Sequence, residues 1–142
     1  MKTYDPNNVF AKILRGELPC YKICEDEHTF VFLDIMPRSA GHALVIPKVG
    51  VRNILDIAAE DFAHVARMTH KVANAAMKAF AADGVIVAQF SEPAAGQEVY
   101  HLHMHVMPRK HGVELLPPAS RKEDPAVLAD NAAKLIAALD AA

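Results

Sequence analysis

Residues 100–107 read Tyr-His-Leu-His-Met-His-Val-Met, three imidazoles alternating strictly with apolar side chains. Period two is the repeat of an extended strand, where alternate side chains share a face. His101, His103 and His105 are therefore expected on one side, about 6–7 Å apart. Leu102, Met104 and Val106 then point into a core. A slip of one residue would bury all three imidazoles, so the register is strongly specified.

The rest of the chain supplies the other strands and the helices that cover them. Residues 19–24 and 28–35 read as strands around the Glu25-Asp26-Glu27 turn, 42–47 as a third, 85–90 as a fourth and 98–107 as the last. Asp5-Pro6 is expected to start a short helix, with Asp5 as its cap, an apolar stripe at Val9, Phe10, Ile13 and Leu14, and Gly16 ending it. Phe62, Val65, Ala66, Thr69, Val72, Ala73, Ala76 and Phe80 recur at spacings of three and four, which predicts a long helix over 59–82. Asp124-Pro125 starts an Ala-rich tail helix after the Pro117-Pro118 break. The fold class is α+β, with a mainly antiparallel sheet of about five strands. At 142 residues the chain suits one domain, 1–142, with 109–142 as a C-terminal extension.

Composition narrows the function. Apolar residues make up 52%, enough for a core, and the formal charge of −2 argues against a broad basic face for nucleic acid. No apolar run approaches the ~20 residues of a membrane span. The first ten residues hold no signal core, which predicts a cytoplasmic protein. Cys20 and Cys24 would lie roughly 13 Å apart on one strand, too far to pair, so both are expected as thiols.

Three histidines on one face suit either a metal site or a nucleophile. His-x-His can chelate zinc with a third ligand such as His42, but the outer pair is about 13 Å apart and no acid or cysteine stands inside the run. Neutral imidazole, by contrast, is a competent nucleophile at pH 7. Attack on phosphorus gives a phospho-imidazole that water hydrolyses. The small-residue loop over 91–97 (SEPAAGQ) precedes the histidines and offers backbone N–H groups for phosphate oxygens.

The run HLHMHVM fits His-φ-His-φ-His-φ-φ, where φ is apolar. Three blocks occur in order: NNVFAKILRGELPCYKI, EDEHTFVFLDIMPRSAGHALVIPK and AAGQEVYHLHMHVMPR. Together they resemble the histidine-triad (HIT) superfamily, in its Hint-like branch, over nearly the whole chain. The resemblance implies a HIT-like fold and a homodimer. His103 is then the nucleophile, His105 the group at phosphate and leaving group, and His101 the support of the imidazole chain. His42 joins them as a fourth histidine. Asp34 falls at the ribose-binding acid, and Val9, Phe10, Ile13, Phe32 and Ile35 at the apolar base slot. Ser91, Gly96 and Gln97 fall in the phosphate-side loop.

The implied activity is hydrolysis at the α-phosphorus of a purine nucleoside phosphoramidate or acyl-nucleotide, with a purine nucleotide as partner and no cofactor. A dinucleoside polyphosphate hydrolase is the alternative. A non-catalytic nucleotide-binding module and a zinc protein are further ones. A nucleotidyl transferase commonly has Gln at the third position, and His105 argues against it.

Departures from the family pattern are informative. Asn8 and Ala11 stand where relatives carry a zinc-binding Cys-x-x-Cys, and Gly50 where a His falls, so no structural zinc is expected. Phe90 replaces a polar side chain near phosphate. Glu98 replaces a serine and is expected to face solvent.

Overall fold

The computed structural model describes residues 3–142. At its centre β2 (Thr29–Leu33) pairs antiparallel with β3 (Ala43–Pro47), and every residue of both is buried. Runs of Val, Ile, Leu and Phe favour a pleated surface, and burial of both faces requires a layer on each side. β1 (Lys22–Glu25) flanks β2, β5 (Met104–Arg109) flanks β3, and β4 (Gly84–Ala88) lies outside β5. The order is β1-β2-β3-β5-β4, with every neighbouring pair antiparallel. This is the α+β sheet expected from the sequence.

Alternation divides the strands between two layers. Val31, Leu33, Ala43, Val45 and Val106 face α2 (Ala59–Ala79) and α3 (Pro125–Asp140), meeting Val65, Val72 and Ala76 from the first and Leu128 and Leu135 from the second. Phe30, Phe32, Leu44 and Ile46 face the other way, onto Phe10 of α1 (Val9–Leu14). Each of these Val, Leu, Ile and Phe side chains contributes about 1.5–3 kcal/mol on burial. The tail helix is therefore part of the same core as α2.

Boundaries differ from the sequence reading for local reasons. Asn8, not Asp5, caps α1: its Oδ1 accepts the Ala11 N–H at 2.9 Å. Asp5 instead closes the preceding turn by accepting the Asn7 N–H at 2.9 Å. α2 stops at Ala79, because Ala81 takes φ +46°. β5 begins at Met104 rather than at residue 98: its ladder with β3 runs only from Val45↔Met104 to Ala43↔Val106. Before it, the Leu102 N–H leaves the ladder and bonds the Val51 carbonyl at 2.9 Å. Leu102 still enters the core and His103 still faces the other layer, so the alternation outlasts the strand.

The turn from β2 to β3 depends on Gly41. Its φ is +86°, and a Cβ there would lie 2.3 Å from the Phe80 ring. Only glycine permits this close approach, and the turn sets His42 at the foot of β3.

Candidate active site

In the β3–β5 register Leu44 lies opposite His105, which puts that imidazole on the α1 side of the sheet. His103 follows on the same side. Both line a cavity of about 560 Å³ between the sheet, α1 and the segment that follows β5. Val9, Phe10, Ile13, Phe32 and Ile35 form an apolar wall, and Asp34, at the end of β2, stands beside it. Gly96 lines another part of the wall. The ring centroids of His103 and His105 are 4.8 Å apart, and those of His42 and His105 5.1 Å apart.

Hydrogen-bond partners fix where each proton sits. A backbone carbonyl only accepts and a backbone N–H only donates. His103 Nδ1 lies 2.7 Å from the His101 carbonyl and therefore carries the proton, leaving the Nε2 lone pair free. His42 Nδ1 accepts the Arg38 N–H at 3.1 Å, so its proton is on Nε2. That proton is donated to His105 Nδ1 at 2.9 Å, which places the His105 proton on Nε2. The adjacent imidazoles thus differ: one bears a lone pair at Nε2, the other an N–H.

Burial dominates the electrostatics. It pushes His103 down to about 4, partly opposed by the bond to the His101 carbonyl. It pushes His42 and His105 down to about 3, with the Arg38 charge adding to both. All three rings are neutral at pH 7. Burial raises Asp34 to about 6, opposed by the Met36 N–H that it accepts at 2.9 Å and assisted by Glu98.

Three expected site residues are placed differently from the rest. His101 is fully buried away from the cavity: Nε2 donates to the Pro47 carbonyl at 2.9 Å and Nδ1 accepts the Tyr4 hydroxyl at 2.7 Å. It is not presented beside His103 as a third cavity imidazole, because the chain has left the sheet ladder there. Ser91 Oγ is held by the Gln89 amide two residues away. Gln97 is buried within its loop, donating to the Arg52 and Val99 carbonyls and accepting from the Glu92 N–H and the Asn53 amide. Glu92 takes φ +74°, an uncommon conformation for a side-chain-bearing residue, and the Arg52 guanidinium holds it through two bonds of 2.7 and 3.0 Å. These contacts fix the loop carrying Gly96.

Further residues line the cavity. Leu18, Pro19, Cys20 and Met36 extend the apolar wall, and Phe90 meets the His105 ring edge-on at 5.3 Å. Glu98 is exposed, as expected, yet it lines the cavity too. Arg38, Pro118 and Ala119 line it as well.

Asp34, His42 and His105 each offer a ligand atom within 4.8 Å of the others. Both His42 nitrogens are already bonded, so a cation there would have to displace Arg38 N–H or His105. The residues at the family's structural zinc position do not fit a metal. Asn8 caps α1, Ala11 and Gly50 have no donor, and a Cβ at Gly50 would lie 2.7 Å from the Tyr4 ring.

Known proteins share this architecture. Residues 15–112 match the HIT domain family. A 13.2 kDa HIT-like protein of Azospirillum brasilense is 47% identical over 107 residues, spanning 74% of this chain and 88% of that protein. The adenosine 5'-monophosphoramidase HNT1 of Saccharomyces cerevisiae is 35% identical over 108 residues, spanning 76% and 66%. The crystal structure of a Hit-like protein from Bartonella henselae superposes with a TM-score of 0.92 at 47% identity, covering 96% of this chain and 99% of that one. With residues 15–112 matched by the family and relatives 47% and 35% identical over 74% and 76% of its length, the chain belongs to the HIT domain family.

Proposed function

We propose that this protein hydrolyses the bond between the α-phosphorus of a purine nucleotide and its leaving group, through a nucleotidyl intermediate on His103. One observation carries the reading. The His103 Nδ1 proton is committed to the His101 carbonyl, so a neutral Nε2 lone pair is held in the cavity 4.8 Å, ring to ring, from a proton-bearing His105. Nucleophile and donor are thus set side by side.

The surroundings support a nucleotide. The apolar wall of Val9, Phe10, Ile13, Phe32 and Ile35 suits a base, and Asp34, ionised above about pH 6, offers oxygens to both ribose hydroxyls. Gly96 brings main chain to the phosphate side, with Ser91 and Gln97 shaping that loop rather than touching the nucleotide. With a phosphoramidate, His103 Nε2 bonds to phosphorus as the P–N bond breaks. The His105 Nε2–H donates a hydrogen bond to the leaving nitrogen, which takes its proton from water. The hydroxide left by that water adds to phosphorus as the His103 Nε2–phosphorus bond breaks, releasing nucleoside monophosphate and free His103. His101 acts by holding the His103 ring. The phosphoramidase named among the relatives is consistent with this substrate class. The reading extends to a homodimer, supported by the outer edge of β4, which pairs with no other strand among the described residues, and by Val87, 45% exposed on that strand.

The test is turnover of adenosine 5'-phosphoramidate by wild type and His103→Ala, with intact-mass detection of a quenched nucleotidyl adduct. The variant is expected to lose about 10³-fold or more in kcat. Wild-type turnover by His103→Ala ends the proposal.

A further inference from the structure

Residues 100–103 lie outside the sheet ladder, yet the His101 carbonyl sits 2.7 Å from His103 Nδ1. Contacts other than β-pairing therefore hold it. On one side the Leu102 N–H bonds the Val51 carbonyl at 2.9 Å, the His101 Nε2–H bonds the Pro47 carbonyl at 2.9 Å, and the Arg52 guanidinium lies 4.1 Å from the centre of the Tyr100 ring. All three come from the end of β3 and the residues just after it. The arm before α1 closes the other side. The Tyr4 hydroxyl lies 2.7 Å from His101 Nδ1, with the two rings edge to face at 65° and 5.6 Å. The Pro47 carbonyl takes the His101 proton at Nε2, so Nδ1 offers a lone pair and the phenol is the donor. His101 is fully buried, and Tyr4 is the one donor to its Nδ1 among the described residues. The arm is itself braced. Asp5 Oδ1 accepts the Asn7 N–H at 2.9 Å, the Asp5 carbonyl accepts the Asn8 amide at 2.7 Å, and the Pro6 carbonyl accepts Arg15 Nη1 at 2.7 Å. Six residues after Tyr4, Phe10 meets the His103 ring edge-on at 4.9 Å. One short segment thus touches both His103 and the residue whose carbonyl orients it.

Gly50 makes room for the phenol. A Cβ there would lie 2.7 Å from Tyr4 Cε2 and 3.1 Å from Cζ, and its three nearest atoms would all belong to Tyr4. Gly50 is not among the glycines with positive φ, so it is the Tyr4 ring, not a left-handed turn, that opposes a side chain at this position. We propose that Tyr4 is a positioning residue of the hydrolysis: its hydroxyl clamps His101, so that the His101 carbonyl keeps the His103 ring aimed at phosphorus. This rests on the reading of His103 as nucleophile given above. The phenol lies outside the cavity lining and takes no part in bond making. It removes freedom from the residue on which the direction of the Nε2 lone pair depends, and a nucleophile displaced by a fraction of an ångström loses much of its near-attack geometry. Asp34 and the apolar wall do not touch Tyr4, so nucleotide binding is spared.

Two measurements test the clamp. Tyr4→Phe keeps the ring and removes only the donor. On adenosine 5'-phosphoramidate its kcat is expected to fall about tenfold, with KM held within about twofold. Gly50→Ala, which drives a methyl into the phenol, is expected to lower kcat in the same way in the wild-type background and to add nothing in Tyr4→Ala, where the ring is gone. A merely structural role would lower the urea midpoint and leave kcat of the folded protein unchanged. The second measurement needs no turnover: exchange of the His103 Nδ1 proton with water, followed by NMR on protein carrying ¹⁵N-labelled histidine. Tyr4→Phe is expected to keep the His103 tautomer and to exchange that proton about fivefold faster or more. A kcat in Tyr4→Phe within about twofold of wild type, or a Gly50→Ala effect that persists in Tyr4→Ala, overturns the clamp. Unchanged proton exchange overturns it even if His103 proves to be the nucleophile. Faster exchange in Tyr4→Phe, in a protein whose wild type forms no nucleotidyl adduct, removes the nucleophile and leaves the clamp standing.

Discussion

Asp34 should destabilise the folded protein while serving its ligand, and Asp34→Asn separates the two effects. Burial raises the carboxyl from 3.8 to about 6. Above pH 6 the carboxylate is charged in both folded and unfolded chains, and the folded form carries the whole desolvation penalty. A shift of about two units corresponds to about 3 kcal/mol, at 1.36 kcal/mol per unit. As pH falls through 6 the folded chain takes up a proton that the unfolded chain accepts only near 3.8, so the wild-type penalty shrinks and vanishes below that value. Asparagine keeps an oxygen to accept the Met36 N–H, now 2.9 Å from the carboxylate, and has no charge to desolvate. Asp34→Asn is therefore expected to be more stable than wild type by about 1–3 kcal/mol at pH 8, with the difference closing toward pH 4. The histidine contributions are common to both proteins and largely cancel in that difference. Urea melts across this pH range measure it, and AMP titration should show weaker binding by the stabilised variant. A variant less stable than wild type at pH 8, or a difference that does not change with pH, refutes the reasoning.

Three further outcomes follow from the site. Because His103 is held at about 4 and Asp34 at about 6, kcat should persist to about pH 5 while KM for nucleotide rises below about pH 6. A kcat that falls with an apparent pKa near 6.5 would contradict this. Gly41→Ala should destabilise by about 2–4 kcal/mol in a thermal or urea melt, since it adds a methyl 2.3 Å from the Phe80 ring at φ +86°. A loss under about 0.5 kcal/mol would mean that the ring yields freely. Gln97→Leu should leave the Glu92 N–H and the Arg52 carbonyl without the amide they share, costing about 2–4 kcal/mol and raising amide exchange across residues 91–97. Unchanged exchange there would show that the Arg52–Glu92 pair alone fixes the loop.

How much was legible in the sequence depended on whether a residue's role repeats along the chain. Val31, Leu33, Val45 and Val106 announced themselves by β-propensity and alternation, and Val65, Val72 and Ala76 by helical spacing, since each answers to one large partner surface. The histidine run was read correctly as alternating and incorrectly as a strand throughout. Side-chain alternation survives where Leu102 bonds Val51, but hydrogen bonding to β3 does not. The Ser91 contact was unreadable because a hydroxyl held by the Gln89 amide two residues away leaves no periodic signal. Arg38 was unreadable for the opposite reason: its partner Leu116 lies 78 residues further on, and a single arginine in a polar loop looks solvated.

The protonation pattern of the site is set by main chain rather than by side chains. The Arg38 N–H at one end and the His101 carbonyl at the other impose opposite tautomers on His105 and His103, with His42 carrying the first instruction inward. No substitution other than proline at position 38 removes either backbone group, so the pattern tolerates mutation of the side chains around it. It depends instead on where the backbone runs: on the turn that Gly41 allows against Phe80, and on the departure of residues 101–103 from the sheet. That departure, absent from a regular strand, is what bends the His101 carbonyl to 2.7 Å from His103 Nδ1. In a continuing ladder that carbonyl would be spent on a neighbouring strand or on solvent, and the His103 Nε2 lone pair would have no fixed direction. The irregular start of β5 is therefore a requirement of the proposed chemistry.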